Sequence, residues 1–265
     1  MYSELYKPIP SLDNYLKRLN TVRPEKCNVA SLDALIQAHQ ANVPFENIDI
    51  FDCHLPISLN TEDLYDKIVI RNRGGYCFEL NALFMSALKA CGYDAFACES
   101  RVTWRRDIVG PILHRQTLVN IDDELYVCDV GLGGPQPGFA LKVEDGFTKS
   151  INEQTYRIVK KDYFWSVQNK TDEDWENSVE FQLIKSDEVD FIPLNYYCYA
   201  SENSFFVNRR VVNLKTEKGN KSIGDNIFVI NDGETHTEKI IENSKLMAQI
   251  LSEHFGINDD FEFMI

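Results

Sequence analysis

Arg73-Gly74-Gly75-Tyr76-Cys77 runs straight into a stretch in which Leu80, Leu83, Phe84, Ala87, Leu88 and Cys91 recur at three- and four-residue steps. That spacing predicts a helix, and Gly92 supplies its stop. A cysteine at a helix start meets unpaired N–H groups and the positive end of the macrodipole, both favouring thiolate. The paired glycines predict a tight turn that leaves the sulfur accessible. A buried, inert cysteine behind a turn fits the same segment, so a base and a group to orient it must be found elsewhere.

Five histidines are available. His39 falls on an early helix, as a surface or internally satisfied residue. His54 follows Cys53, and neighbours on a strand point to opposite faces. His236 lies in the polar turn NDGETHTE, and His254 near the tail of the last helix. His114 opens the strand-like run HRQTLVNI, which Asp122-Asp123 joins to ELYVCDV. A two-residue turn there places Leu118 opposite Val127, Gln116 opposite Asp129 and His114 opposite Gly131. Directly opposed residues share a face and diagonal ones remain within side-chain reach, so His114 and Asp129 form an imidazole–carboxylate pair. A three-residue loop would separate them, and an aspartate before GLGG is also an ordinary turn former. Gly131-Leu132-Gly133-Gly134-Pro135 does not open a helix, because Pro135 and Pro137 prevent it; a loop of close backbone approach is expected, not a dinucleotide site.

Around these residues the texture changes twice. Residues 1–92 read as helical, with Ser31 as a cap before LDALIQAHQ and Thr61 opening another helix. Residues 93–192 carry short β-branched and aromatic runs separated by turn residues, and strand-like runs continue to about Ile192. Residues 193–265 are mixed: a hairpin turn at Glu217–Asn220 and a final amphipathic helix from about Glu238 to Phe255. Segregated helices and strands predict an α+β fold, not a doubly wound sheet.

The 265 residues include 41 Asp and Glu against 27 Lys and Arg, a formal charge of −14 at pH 7, which opposes contact with nucleic acid or an anionic membrane surface. No apolar run is long enough to span a bilayer, and the charged start does not read as a signal peptide. Seven scattered cysteines without a CxxC pair argue against a disulfide framework and a zinc site. The expectation is a cytoplasmic, metal-free protein.

Arg-Gly-Gly-Tyr-Cys-Phe-Glu-Leu-Asn (73–81) resembles the RGGxCxExN signature of the arylamine N-acetyltransferases. Val43-Pro44-Phe45-Glu46-Asn47-Ile48-Asp49 resembles a second family segment, and Cys128-Asp129-Val130-Gly131-Leu132-Gly133 a third, with Leu132 where an aromatic is usual. The resemblance spans the whole chain. It implies a helical bundle carrying Cys77 (1–92), a β-barrel carrying His114 and Asp129 (93–192) and an α/β lid (193–265), with a papain-like cysteine-triad core. It also implies ping-pong transfer from acetyl-CoA through acetyl-Cys77 to aromatic amines, hydrazines or hydroxylamines. His114 would act as base and Asp129 as its orienter. Arg73, Glu79 and Asn81 become structural supports, with Arg73 and Glu79 a candidate ion pair, and Phe45 a wall of the acceptor pocket. Gly110, Pro111, Tyr197, Ser201 and Asn203 fall toward the cofactor, although YASENSFF lacks the usual proline. Arg209 and Arg210 suit either phosphates or a solvated strand edge. The nearest rival is a thiol hydrolase or transglutaminase-like enzyme with the same Cys-His-Asp order. Neither the natural acceptor nor the oligomeric state follows from the sequence.

Overall fold

The computed structural model describes residues 2–106, 108–152 and 154–265. Short helices come first: α1 (Leu12–Arg18), α2 (Val29–Asn42), the two-residue strand β1 (Phe45–Glu46), α3 (Ile48–Phe51) and α4 (Thr61–Tyr65), which continues as a π-type turn over Asp66–Ile70. They surround α5 (Cys77–Cys91), whose apolar residues Phe78, Leu80, Leu83, Phe84 and Leu88 are all buried. Gly92 ends α5 in the left-handed region at φ 109°. The α2 cap is Asn28, whose side chain accepts from Ser31 N–H, so Ser31 lies inside the first turn and is not the cap.

Eight antiparallel strands follow as a nearly closed, barrel-like sheet: β2 (Asp94–Val102), β3 (His114–Ile121), β4 (Glu124–Cys128), β5 (Leu141–Lys142), β6 (Thr148–Ile151), β7 (Gln154–Lys161), β8 (Phe164–Lys170) and β9 (Trp175–Phe181), ordered β5-β4-β3-β2-β9-β8-β7-β6. The turn between β3 and β4 has two residues, with Asp122 and Asp123 at φ 51° and 63°. Two successive positive φ values make the hairpin turn whose twist matches the strands. The register is therefore Leu118 opposite Val127 and Thr117 opposite Cys128, as the spacing predicts. The last strand of this sheet ends at Phe181, short of the Ile192 limit expected from sequence. The apolar, aromatic run Phe191–Ala200 is instead the helix α6.

After the short helix α7 (Phe205–Asn208), a second sheet collects β10 (Val211–Lys215), β11 (Asn220–Gly224), β12 (Ile227–Asn231) and β13 (His236–Ile240), with α8 (Ser244–Ile250) packed on it. β1 joins this sheet through β10, so the helical third contributes a strand to the C-terminal one. The expected final helix from Glu238 is shorter. Residues to Ile240 pair with β12, and α8 begins only where Asn243 caps it by accepting from Leu246 N–H. His236 accordingly opens a strand, and His54 sits in a turn at φ 51°, not on a strand. Among the described residues no helix is long and apolar enough to cross a membrane.

Arg73 ties the parts together. Its guanidinium is fully buried and donates to Glu46 at 2.7 Å, Asp49 at 2.9 Å and Asp259 at 3.1 Å, with Phe261 stacked on it. The expected partner, Glu79, instead accepts from Lys67 Nζ at 2.8 Å, and Lys67 also reaches Asp49 at 2.7 Å. Burial opposes the charge on Asp49, but Lys67 and Arg73 outweigh it and bring the carboxyl down to about 2. Arg73→Met leaves the fully buried Glu46 without its cation; urea titration should show a loss of about 3–5 kcal/mol. An aspartate with a depressed pKa stabilises the fold above its unfolded value and loses that contribution on protonation. Melting temperatures should therefore hold down to roughly pH 4 and fall progressively toward pH 2, with a flatter acid limb in Asp49→Asn.

Candidate active site

Cys77 is the first residue of α5, preceded by Tyr76 in extended geometry, whose N–H donates to Glu79 Oε2 at 3.0 Å. The paired glycines are needed for close approach. A Cβ on Gly74 would collide with the Pro44 carbonyl, and one on Gly75 would lie 2.8 Å from Glu79 Oε2. Glu46 N–H bonds Gly75 O at 2.9 Å, so the 43–47 and 73–77 segments are fastened side by side.

Contrary to the sequence expectation, the sulfur is not accessible: Cys77 is 2% exposed. Burial pushes its thiol well up, and the charge of Asp129 pushes the same way; the backbone N–H groups of Arg115 and Phe78 pull it back. A bare thiolate is thus disfavoured until a base takes the proton. A candidate base is adjacent in the chain to one of those donors. His114, buried at the start of β3, directs Nε2 to Asp129 Oδ2 at 2.5 Å. Because the carboxylate accepts there, the proton sits on Nε2 and Nδ1 carries the free lone pair.

Asp129 is held from several sides. Oδ1 accepts from Asn81 Nδ2 at 2.9 Å and Gly131 N–H at 2.8 Å, and Gln116 Nε2 lies 3.4 Å from Oδ2. Burial works against the charge, but His114, Asn81 and Gly131 together keep the carboxyl below its ordinary value. Asn81 also donates to Arg115 O at 2.7 Å and accepts from Val130 N–H at 3.1 Å, locking α5 to both strands of the hairpin. A Cβ on Gly131 would come 2.9 Å from Cys77 Cα, so the loop after β4 rests on the helix start. Cys77, His114 and Asp129 are therefore assembled in one buried place, with α5 packed on β3.

The remaining expected residues have varied placements. Phe45 is buried, 6.1 Å from the Phe206 ring, and a Cβ on Gly133 would lie 2.8 Å from it. Trp104 covers Gly134 in the same way at 3.1 Å, so two aromatics flank the glycine loop. Gly110 and Pro111 lie in the irregular stretch between β2 and β3, beside the 82% exposed Ile108. Tyr197 is on α6 and partly exposed; Ser201 accepts from Asn203 N–H at 3.3 Å, closing the turn toward α7. Arg210 is fully buried on Asp52, and Arg209 pairs with Asp225 at 2.5 Å, so both guanidinium groups are already engaged. Two further residues touch Asp129. Gln116 is legible in the sequence only as its partner in the register, and Gln40, whose amide donates to Asp129 O at 3.0 Å, carries no local signal.

A buried Cys-His-Asp cluster beside a glycine loop, on an α+β frame, is the equipment of a thiol-dependent acyl-transfer protein. A family described as N-acetyltransferase matches residues 28–263. The chain is 25% identical to the arylamine N-acetyltransferase of Escherichia coli (strain K12) over 256 residues, covering 95% of this chain and 90% of that one. The arylamine N-acetyltransferase structure from M. tuberculosis superposes with a TM-score of 0.88 at 26% identity, covering 94% of each chain. That of Mycobacterium marinum in complex with CoA gives 0.86 at 26% identity, covering 94% of this chain and 93% of that one. The chain belongs to the arylamine N-acetyltransferase family.

Replacing Asn81 by leucine keeps the volume but strips Asp129, the Arg115 carbonyl and the Val130 N–H of a partner. Chemical denaturation should register a loss of about 3 kcal/mol, whereas Asn81→Asp, which adds a second carboxylate against Asp129, should cost more.

Proposed function

We propose that the protein is an arylamine N-acetyltransferase working by a ping-pong mechanism, with Cys77, His114 and Asp129 as its catalytic residues. His114 Nδ1 takes the Cys77 proton while Asp129 steadies the resulting imidazolium. The thiolate attacks the thioester carbonyl of acetyl-CoA, the C–S bond to CoA breaks, and CoA leaves as its thiol with the proton returned by His114. The amine then attacks acetyl-Cys77, His114 accepts the amine proton and passes it to the departing sulfur. The N–H groups of Phe78 and Arg115, which lower the Cys77 thiol, are the candidate donors to the tetrahedral oxyanion.

The observation that carries the reading is the 2.5 Å His114–Asp129 bond beside a sulfur that burial holds as thiol. Such a sulfur needs a proton acceptor at hand, and this pair supplies one. Phe45, with Phe206 and Trp104, would line the acceptor side around the glycine loop. Gly110, Pro111, Tyr197, Ser201 and Asn203 would meet acetyl-CoA, and residues 193–265 would serve as a lid over a papain-like core. Arg210 is left out of phosphate binding, since it is fully buried on Asp52. Acetyl-CoA, aromatic amines and hydrazines are the expected small-molecule partners, met in the cytoplasm.

Incubation with acetyl-CoA alone should add one acetyl group to Cys77 by peptide mass spectrometry, and aniline or phenylhydrazine should remove it with formation of the acetylated amine. Cys77→Ser should lower transfer by on the order of a thousandfold or more. Amide hydrolysis without CoA, and no adduct, would favour the thiol hydrolase instead.

A further inference from the structure

Gln40 lies buried on α2, and its amide nitrogen donates to two carbonyls, Asp129 O at 3.0 Å and Pro137 O at 2.9 Å. Those carbonyls bracket the loop 130–136, which sets Gly131 on Cys77, Gly133 on Phe45 and Gly134 on Trp104. The Gln40 oxygen accepts from Lys215 Nζ at 3.1 Å, and the same ammonium donates to Gln136 O at 3.3 Å and Gln154 Oε1 at 3.1 Å. A glutamine from the helical third and a lysine from the C-terminal third thus close on a loop of the middle third. All hydrogen-bonding groups of the Gln40 side chain are used.

Lys215 reaches this point from the wall of a cleft of about 680 Å³, whose other charged residues are Glu217, Lys218, Asp232 and Glu234. Among the described residues no carboxylate pairs with the ammonium; Asp232 accepts from the N–H groups of Glu234 and Thr235 through Oδ1 and from the Thr235 hydroxyl through Oδ2. Burial lowers the Lys215 pKa to about 8. Among the described residues the partners of this half-buried ammonium are three neutral oxygens, two of them on the clamp and the loop end.

We propose that Gln40 and Lys215 are positioning residues, a clamp that fixes both ends of the glycine loop and thereby the placement of Asp129 against His114. Asp129 stands at the first residue of that clamp, and Gly131 N–H is one of its own donors. A loop free to drift would carry both away from the imidazole, and misplacement of about 1 Å is enough to cost about a hundredfold in rate. The inference rests on the acyl-transfer reading for its kinetic consequence, not for its structural one.

The test compares the parent with Gln40→Leu, Lys215→Met and Lys215→Arg. Three readouts are needed: single-turnover acetylation of Cys77 across pH, hydrogen exchange of the amides of residues 129–137, and the thermal midpoint. Gln40→Leu should lower the limiting acetylation rate about tenfold or more at an unchanged half-saturating acetyl-CoA concentration, consistent with a positioning loss. It should also displace the histidine limb of the pH profile and speed exchange across the loop. Lys215→Met should change all three in the same direction by less, and Lys215→Arg should restore them. Folded variants with parental pH profiles and loop exchange overturn the clamp, as does a rate loss that tracks lowered melting alone with the profile unmoved. If Gln40→Leu fails to fold, Lys215→Met, on the cleft wall, carries the same readouts. A parent that never acetylates Cys77 would refute the acyl-transfer reading, while the exchange measurement still judges the clamp.

Discussion

Asp129 is a carboxylate held away from water, and the organisation of the site follows from the need to solvate it with protein. The neighbours that do so come from three elements: His114 and Gln116 from β3, Asn81 from α5 and Gly131 from the loop beyond β4. An anion left without them would take up a proton or pull the site apart. The cost of burying the charge is therefore what forces helix, hairpin and loop into one geometry. Cys77, at the head of the same helix that carries Asn81, is brought beside the hairpin by that requirement.

The same principle recurs on the far side of α5. Arg73 and Lys67 are buried cations, each satisfied by carboxylates drawn from separated segments, including Asp259 near the end of the chain. Glu79 shows how unevenly such a cluster divides charge: burial lifts its carboxyl to about 7, and Lys67 pulls it back only in part. Two desolvated polar clusters, one at each flank of the segment 73–81, hold the start of α5 on both sides. Arg73, Glu79 and Asn81 are thus engaged in contacts around the start of α5, where Cys77 lies.

Closure changes the chemistry expected of the cysteine. An exposed thiol at a helix start would ionise with help from the dipole alone. A buried one does not, because desolvation acts against the charged form more strongly than two backbone donors act for it. In the proposed mechanism, proton transfer to His114 would convert the problem from making one buried charge to making a buried ion pair, which a low-dielectric site tolerates far better. The orientation of the imidazole, bound to Asp129 through Nε2, leaves Nδ1 for that transfer.

Local features were legible in the sequence because they depend on neighbours a few residues away. The three- and four-residue apolar spacing marks α5, and Gly92 marks its end. Asp122-Asp123 marks the two-residue turn, and the turn alone dictates the register that puts His114 and Asp129 on one face. Where local patterns compete, they mislead: the strand texture expected to run to about Ile192 gives way to α6 from Phe191, and residues 238–240, read as the start of the last helix, pair in β13. The partners of buried charges lay beyond any such reading. Arg73 takes Glu46, Asp49 and Asp259 in place of the nearby Glu79, and Gln40 finds Asp129 and Lys215 across the molecule. Spacing along a chain sets periodicity and register, but desolvation is a property of the packed whole, so only the tertiary structure decides which distant groups must meet to satisfy it.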